Sequence, residues 1–570
     1  MTTRELDSRR EITPADDGRI ALATLAIVVA FTAIQTGRLL AAGVDVLTYD
    51  ELQYARRALE THDRVQALGW TSWPWIVWSA QRHGKPPLFE NLVAGALLVL
   101  GRDALLPSLA VVLALTTALA LGIVASLLRA SFSARAGLVG VLLLTASPAF
   151  ARFTTSPYPT GLLVAAWAAT VALLFPPRRG GGPTGGHGWS RARTAGLGVV
   201  LGLGCLTQAT FPALVAAPLV FWIVAGGTSG LDARQRLRVA LVTALVGAAV
   251  AAIWYGNNLG GALLYTSRAY RFETWQTAAS TGGAWLGALF WNGLGAGPSI
   301  ALVVALARAL SAPRRTLARF DHAQLLLLGS LVATFLLLLA PALSSPNVSE
   351  RLVLPALVAI LVATAALLAE PGPRAWRLAT SAAMVLVAVQ WTIVQAGRPL
   401  VSPAASPAAR VVLERLDPLG ERQLIGRAMT DRLLERVAEI EREEPDVRFY
   451  LIVHDPEISA PRLNLLGVAA GDRKRFWWAT HFNWPPERRA KALAKARARC
   501  AVFIDLERAD GLQGRVRQRN LHADEVRAYL QAPESGFAPE GALADAAGRW
   551  TLRFYANFDL DVAPAVESVP

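Results

Sequence analysis

Long apolar runs dominate the first 397 residues and leave this chain few possible folds. Each run comes near the roughly 20 residues that a helix needs to cross about 30 Å of hydrocarbon. Eleven such runs lie at 20–42, 105–128, 136–152, 158–175, 195–208, 211–227, 238–256, 282–310, 323–340, 352–369 and 379–396. Only 17% of all residues are charged, against about a quarter in soluble domains. The sequence therefore predicts a polytopic α-helical membrane protein with roughly eleven spans.

The basic residues are distributed unevenly along the chain. The net charge is +14, but residues 398–570 hold 26 basic and 25 acidic groups, leaving 30 and 17 in the first 397 residues. A basic excess on a soluble protein would suggest nucleic acid. Here it adjoins membrane spans, so we predict no nucleic-acid partner and attribute the excess to membrane orientation.

Alternate loops between the runs are rich in arginine, which predicts their orientation. The basic loop residues are Arg129, Arg135, Arg178, Arg179, Arg191, Arg193, Arg234, Arg236, Arg238, Arg314, Arg315, Arg319, Arg374 and Arg377. Because cytoplasmic loops carry the excess of arginine and lysine, these loops and the N-terminus are predicted to be cytoplasmic. The loops 43–104, 153–157, 257–281 and 341–351 then lie outside, and so does the C-terminal tail.

The first outside loop, 43–104, contains an apolar run at 86–101 that is too short for a full span. We interpret it as an interfacial or re-entrant helix. It follows four tryptophans, Trp70, Trp73, Trp75 and Trp78. Tryptophan favours the headgroup zone, so these residues support an interfacial position or form an ordinary aromatic belt.

The chain divides into four predicted segments. Residues 1–19 form a cytoplasmic N-terminal tail, 20–396 the membrane domain, 397–410 a linker rich in proline and alanine, and 411–570 an extracytoplasmic domain. In the last segment helix-like runs such as RLLERVAEIERE alternate with strand-like runs such as RFYLIVHD and CAVFIDL. This alternation predicts a small α/β domain.

Several classes of function lack their signature in this sequence. The seven histidines and two cysteines have no metal-ligand spacing, and no nucleotide-binding motif is present, so no metal site is predicted. No acid falls in the middle of a predicted span, which argues against an ion-coupled transporter.

An acid pair, Asp50 and Glu51, stands just after the first run in VLTYDELQYARRALETHD. The pattern places it near a helix start, where the helix dipole favours a carboxylate. One acid can face a membrane-side cavity while its neighbour turns away. Helix capping by Asp50 with a solvated Glu51 is the alternative interpretation.

Lys85 is the only lysine among the first 397 residues, which otherwise use arginine for every cation. It directly precedes Pro86 and Pro87. A compact ammonium group suits a phosphate oxygen, and the prolines restrict its approach. A snorkelling anchor at a helix start remains the alternative.

These stretches together resemble the GT-C membrane glycosyltransferases, in particular the branch of lipid A aminoarabinose transferases and protein O-mannosyltransferases. The resemblance rests on four segments in family order over about residues 20–396: TYDELQYARRALE, GKPPLFENLVAGALLVLG, GLGCLTQATFPALVAAPL and LSSPNVSERLVLPALVAILVATAALLA. It implies a GT-C-like fold with interfacial helices in the first outside loop and an extracytoplasmic tail.

The resemblance also implies an activity. It predicts transfer of a sugar, with inversion, from a polyprenyl-phosphate carrier to a lipid, glycan or protein acceptor on the outer face of the cell membrane. Asp50 corresponds to the general base, Glu51 to its companion, and Lys85 and Arg351 to the cations beside the carrier phosphate. Tyr54, His83 and Arg268 are further substrate-binding candidates. The sequence does not demand a divalent metal for this reaction.

Two positions depart from the family pattern. Relatives commonly carry an acid in the next outside loop, which here reads ARFTTSPYPTGLL, and a Thr-Lys pair where this chain has Thr207 and Gln208. A catalytically degenerate member that binds a lipid-linked sugar or an envelope partner is therefore a second hypothesis. A transporter is a third.

Overall fold

The computed structural model describes fourteen segments of the chain. They are residues 14–42, 49–79, 85–176, 189–226, 230–271, 287–344, 350–396, 427–444, 447–452, 476–478, 486–497, 500–508, 523–544 and 550–558. The chain forms two compact units. The membrane unit comprises Met1–Ala41, Thr61–Phe272 and Ala278–Glu421, and the tail unit comprises Ala42–Glu60, Glu273–Thr277 and Arg422–Pro570. The predicted linker at 397–410 lies outside the described residues.

Within the described residues, helices account for every predicted apolar run. In chain order they are α1 Pro14–Ala42, α2 Tyr49–Leu68, α3 Trp73–Ser79, α4 Leu88–Leu100, α5 Leu105–Ser131, α6 Ala134–Ala146, α7 Pro148–Thr155, α8 Thr160–Leu174, α9 Arg191–Thr207, α10 Phe211–Ala225, α11 Ala233–Arg271, α12 Ala296–Ser311, α13 Pro313–Leu317, α14 His322–Ser344, α15 Glu350–Ala369 and α16 Arg374–Ala396. A turn of 3-10 helix, Trp70–Ser72, precedes α3, and a π-helix, Gly287–Leu294, precedes α12.

The helical membrane fold predicted from the sequence is confirmed. Among the described residues, five helices are long and apolar enough to cross a membrane, or six if one bent pair is a single span. The run at 86–101 forms α4, a separate apolar helix of 13 residues. The total of eleven crossings remains a prediction.

The run at 136–152 does not form the straight span that its apolar length suggests. It bends by 77° between α6 and α7. The Ser147 side chain accepts a hydrogen bond from the Phe150 N–H and caps α7, while Pro148 occupies the first turn. A proline in that position starts a helix and cannot continue the preceding one.

Gln390 of α16 satisfies backbone groups that two helix breaks leave without helical partners. Its Nε2 donates to the carbonyl of Ala146 at 2.8 Å and to that of Leu294 at 3.0 Å. Its Oε1 accepts the N–H of Gly297 at 2.6 Å. Within a membrane every such group needs a partner, so one buried amide joins α6, α12 and α16.

Arginines on the predicted cytoplasmic side bind carbonyls at the ends of neighbouring helices. The guanidinium of Arg193 donates to Leu173, that of Arg236 to Ile223 and Leu231, and that of Arg308 to Glu370 and Pro371. The last turn of a helix leaves four carbonyls without helical partners, and the dipole favours a cation there. These arginines therefore stabilise helix ends as well as contributing to the basic excess.

The tail unit contains the predicted α/β domain. Its elements are α17 Arg427–Glu443, β1 Phe449–Leu451, β2 Phe476–Trp478, α18 Pro486–Arg497, β3 Val502–Arg508, α19 Ala523–Gln531, β4 Ala538–Ala544 and β5 Trp550–Ala556. The strand order is β2-β1-β3-β5-β4, with β1 parallel to β2 and β3, and β5 antiparallel to β3 and β4. On β3 the fully buried Asp505 accepts two hydrogen bonds from Arg527, at 2.6 and 2.9 Å.

Candidate functional site

The predicted catalytic acids lie where a helix begins. The helix α2 begins at Tyr49, so Asp50 and Glu51 occupy its first turn. A carboxylate in this turn is favoured by the helix dipole. The two carboxyl groups themselves lie outside the described part of the structure. Their roles as base and companion remain predictions.

The other predicted binding residues fall mainly at helix ends. Arg351 lies in the first turn of α15 and Arg268 in the last turn of α11, and the side chains of both lie outside the described residues. His83 lies wholly outside them. Tyr54, one turn of α2 beyond Asp50, is buried at 8% exposure.

Lys85 is buried, with 7% of its surface exposed. Pro86 and Pro87 are buried as well, and Pro87 precedes the first residue of α4. Removing an ammonium group from water is unfavourable unless hydrogen bonds or a negative charge compensate. A snorkelling anchor keeps its charged head in water, so this burial argues against that alternative, and the binding role of Lys85 remains a prediction.

Glu90 is a feature that our sequence reasoning overlooked. It lies in the first turn of α4, five residues after Lys85, and is completely buried. A single acid near the start of an apolar run was the available signal. Buried carboxylates are costly unless compensated, so the Lys-Pro-Pro segment combines a buried cation and a buried anion within six residues.

An ion pair joins α2 to the turn after α4. Arg102 donates from Nε to Asp63 Oδ1 at 2.9 Å and from Nη2 to Oδ2 at 3.1 Å. His62 Nδ1 lies 2.8 Å from the same carboxylate. Burial raises the pKa of Asp63, but the hydrogen bonds from Arg102 and His62 outweigh it and hold that pKa below its usual value. The ion pair fixes α2 relative to the C-terminal end of α4.

The two segments that depart from the family pattern lie at helix ends, and Tyr158 belongs to the one that lacks an acid. Tyr158 follows α7 and packs edge-on against Phe153, with ring centroids 5.6 Å apart. Gln208 is the C-terminal cap of α9, and its backbone N–H donates to the carbonyl of Gly204. Neither residue supplies a carboxylate or a cation. Within the described part of the chain, no three histidine, cysteine or acidic residues are grouped as metal ligands.

The protein has a polytopic helical membrane fold similar to that of ArnT, a solved membrane protein. ArnT from Cupriavidus metallidurans in the apo state is similar over 95% of this chain and 98% of its own, with a TM-score of 0.57 and 15% identity. ArnT from the same organism bound to undecaprenyl phosphate has a TM-score of 0.56 and 14% identity, covering 94% and 98% of the two chains. The resemblance indicated by the sequence is thus confirmed for the fold.

Two further comparisons define the extent of the similarity. The apo oligosaccharyltransferase of Archaeoglobus fulgidus has a TM-score of 0.50 and 14% identity, with 95% of this chain and 75% of that chain covered. The family model for dolichyl-phosphate-mannose-protein mannosyltransferases matches residues 84–254, a segment that begins one residue before Lys85. No curated protein sequence matches the chain significantly.

Proposed function

We propose that this protein is a membrane glycosyltransferase that uses a polyprenyl-phosphate sugar as donor. The observation that carries the proposal is Lys85, which is the only lysine of the first 397 residues and is buried at the start of α4. It lies within the segment that matches the mannosyltransferase model. The similarity to ArnT bound to undecaprenyl phosphate supports a lipid phosphate as the group that this cation meets.

In the proposed reaction Asp50 acts as general base. It accepts the proton of an acceptor hydroxyl while the hydroxyl oxygen attacks the anomeric carbon of the donor sugar, as a carboxylate within about 3 Å can do. The bond between that carbon and the phosphate oxygen breaks, and its electron pair leaves with the polyprenyl phosphate. One displacement inverts the anomeric configuration. Glu51 supports the base from the same helical turn.

The leaving phosphate gains negative charge as this bond breaks, so fixed cations lower the barrier. Lys85 and Arg351 fill this role in the proposal, while Tyr54, His83 and Arg268 contact the donor or the acceptor. A single phosphate carries less charge than a nucleotide diphosphate, and two side-chain cations are sufficient to balance it. The proposed reaction therefore does not require a divalent ion.

The proposal places the reaction at the outer face of the cell membrane, with the tail unit extracytoplasmic. The basic loop residues on the opposite side support this orientation. The acceptor is a lipid, a glycan or a protein with a free hydroxyl group.

A substrate panel tests this function directly. Purified full-length protein in lipid nanodiscs is incubated with polyprenyl-phosphate sugars, with the sugar and acceptor varied separately. We expect transfer from at least one donor, release of free polyprenyl phosphate in equal amount, and activity that survives a chelator. Transfer from a nucleotide sugar but from no polyprenyl-phosphate sugar would refute the proposal.

The absence of an acid in the segment 153–159 favours one alternative, a degenerate member that binds the carrier without turning it over. The same panel separates the two. Tight binding of a polyprenyl phosphate with no sugar released from any donor would support the alternative.

A further inference from the structure

Asn91 connects the Lys-Pro-Pro segment to a neighbouring helix through both ends of its side-chain amide. Its Nδ2 donates to the carbonyl of Pro87 at 2.7 Å, and its backbone N–H donates to the same oxygen at 3.0 Å. Its Oδ1 accepts the indole N–H of Trp73 at 2.7 Å. The amide thus joins α3 to the residue just before α4.

The tryptophan in this contact is itself held in place. The ring of Trp73 packs against Gly95 of α4, where an added Cβ would lie 3.4 Å from the ring. At the other end of α3, the side chains of Asn257 and Asn258 on α11 donate to the carbonyl of Trp78 at 3.2 and 3.3 Å. The position of α3 is therefore set by contacts with both α4 and α11.

The backbone between Pro87 and Lys85 has little freedom to move independently. Proline fixes its own φ, and a residue before proline is confined to extended conformations. Lys85 and Pro86 both precede a proline. Holding the Pro87 carbonyl therefore restricts the directions in which the Lys85 side chain can leave the backbone.

We propose that Asn91, with Trp73, is a positioning residue that fixes Lys85 for the carrier phosphate. This inference rests on the proposed function, because it requires Lys85 to bind that phosphate. Asn91 touches no reacting atom and acts through the Pro87 carbonyl. A half-buried amide with a donor toward Pro87 and an acceptor toward Trp73 fits this task, whereas aspartate at 91 lacks the donor and leucine lacks both groups.

Four variants test the proposal: Asn91→Leu, Asn91→Asp, Trp73→Phe and Lys85→Ala. The probe is a polyprenyl phosphate without sugar, titrated against full-length protein in nanodiscs, so the assay does not depend on turnover. We expect Lys85→Ala and both Asn91 variants to weaken binding by about fivefold or more. Trp73→Phe should weaken it less, since Asn91 still holds Pro87.

Trp189→Phe is the matched control, because Trp189 donates an indole hydrogen bond of the same 2.7 Å length to Thr194 at the start of α9. It should leave carrier affinity unchanged. In an active preparation the Asn91 variants should raise the KM of the donor and leave that of the acceptor unchanged.

A double-mutant cycle separates positioning from general stabilisation. If Asn91 acts through Lys85, Asn91→Leu should cause no further loss of affinity in the Lys85→Ala background. A full additional loss of affinity in the Lys85→Ala background would overturn the positioning role. So would unchanged binding by Asn91→Leu when Lys85→Ala binds weakly. Either result would leave the proposed glycosyltransferase function unaffected. Wild-type affinity in Lys85→Ala would instead refute the phosphate role of Lys85, and the Asn91 proposal with it.

Discussion

Asp63 carries a charge that is stabilised by two different residues. The Arg102 guanidinium binds both carboxylate oxygens, and the Nδ1 atom of His62 lies 2.8 Å from one of them. The pKa of Asp63 is held below its usual value, despite burial, by these hydrogen bonds. A carboxyl with a lowered pKa stabilises the folded state above its ordinary pKa of about 4 and loses this contribution as the pH falls further.

We therefore predict a pH-dependent effect of Asp63→Asn. The variant should have a lower thermal midpoint than the wild type at pH 7, and the difference should shrink below about pH 4. Thermal unfolding of both proteins between pH 3 and 7 measures it. Asp103→Asn, which removes the neighbouring exposed carboxylate, is the control. A difference that stays constant down to pH 3 would show that the charge of Asp63 is not the cause.

Lys85 shows that residue composition alone can point to a candidate binding residue. A single lysine among arginines was a signal visible in the sequence, and its burial agrees with a binding role. The partners of Asn91 were not visible, because the Trp73 indole lies 18 residues away and no local pattern encodes that pairing. Local spacing predicts candidate groups, while the contacts that position them depend on tertiary packing.

Among the helices, Arg236 provides the clearest test of why this chain favours arginine. Its Nε donates to Ile223 and its Nη1 to Leu231, each at 2.8 Å, so one side chain reaches carbonyls at the end of α10 and in the loop before α11. A guanidinium has five donors in a planar fork, whereas an ammonium is a point charge.

Arg236→Lys should therefore destabilise the protein although it preserves the charge. We expect a loss of about 1–3 kcal/mol, the usual effect of leaving a polar group without its hydrogen bond. Hydrogen exchange of the peptide covering the end of α10 and thermal unfolding both report it. Arg234→Lys, on an exposed arginine of the same helix, should change neither. Equal effects of the two substitutions would contradict the capping role.

The helices also show how far periodicity predicts this fold. Apolar length placed a helix at each run, because lipid requires backbone groups to be paired within a helix. The bend between α6 and α7 had a local signal in Ser147-Pro148, yet its geometry depends on Gln390, which lies 244 residues away from Ala146. Helix positions thus follow from apolar composition. A break between helices also depends on distant polar side chains that hydrogen-bond the backbone groups left unpaired there.

The whole molecule has the fold of ArnT over nearly its full length while sharing 15% of its residues. Sequences that share few residues can therefore adopt a similar fold, whereas activity depends on a few side chains. The basic residues of the membrane unit likewise divide into those that support the fold and those that we propose for activity. Several of the arginines hydrogen-bond carbonyls at helix ends, and Lys85 and Arg351 are the cations that we assign to chemistry.

The most direct test of the account is the rate of sugar transfer by Asp50→Asn, measured beside wild type with the donor that the substrate panel identifies. Asparagine keeps the size of the side chain but cannot accept the acceptor's proton. We predict that transfer falls by about 10²–10⁴-fold, the usual contribution of a general base, while polyprenyl-phosphate binding and folding are retained. A variant that transfers sugar at the wild-type rate would contradict Asp50 as the base and the mechanism proposed for this protein.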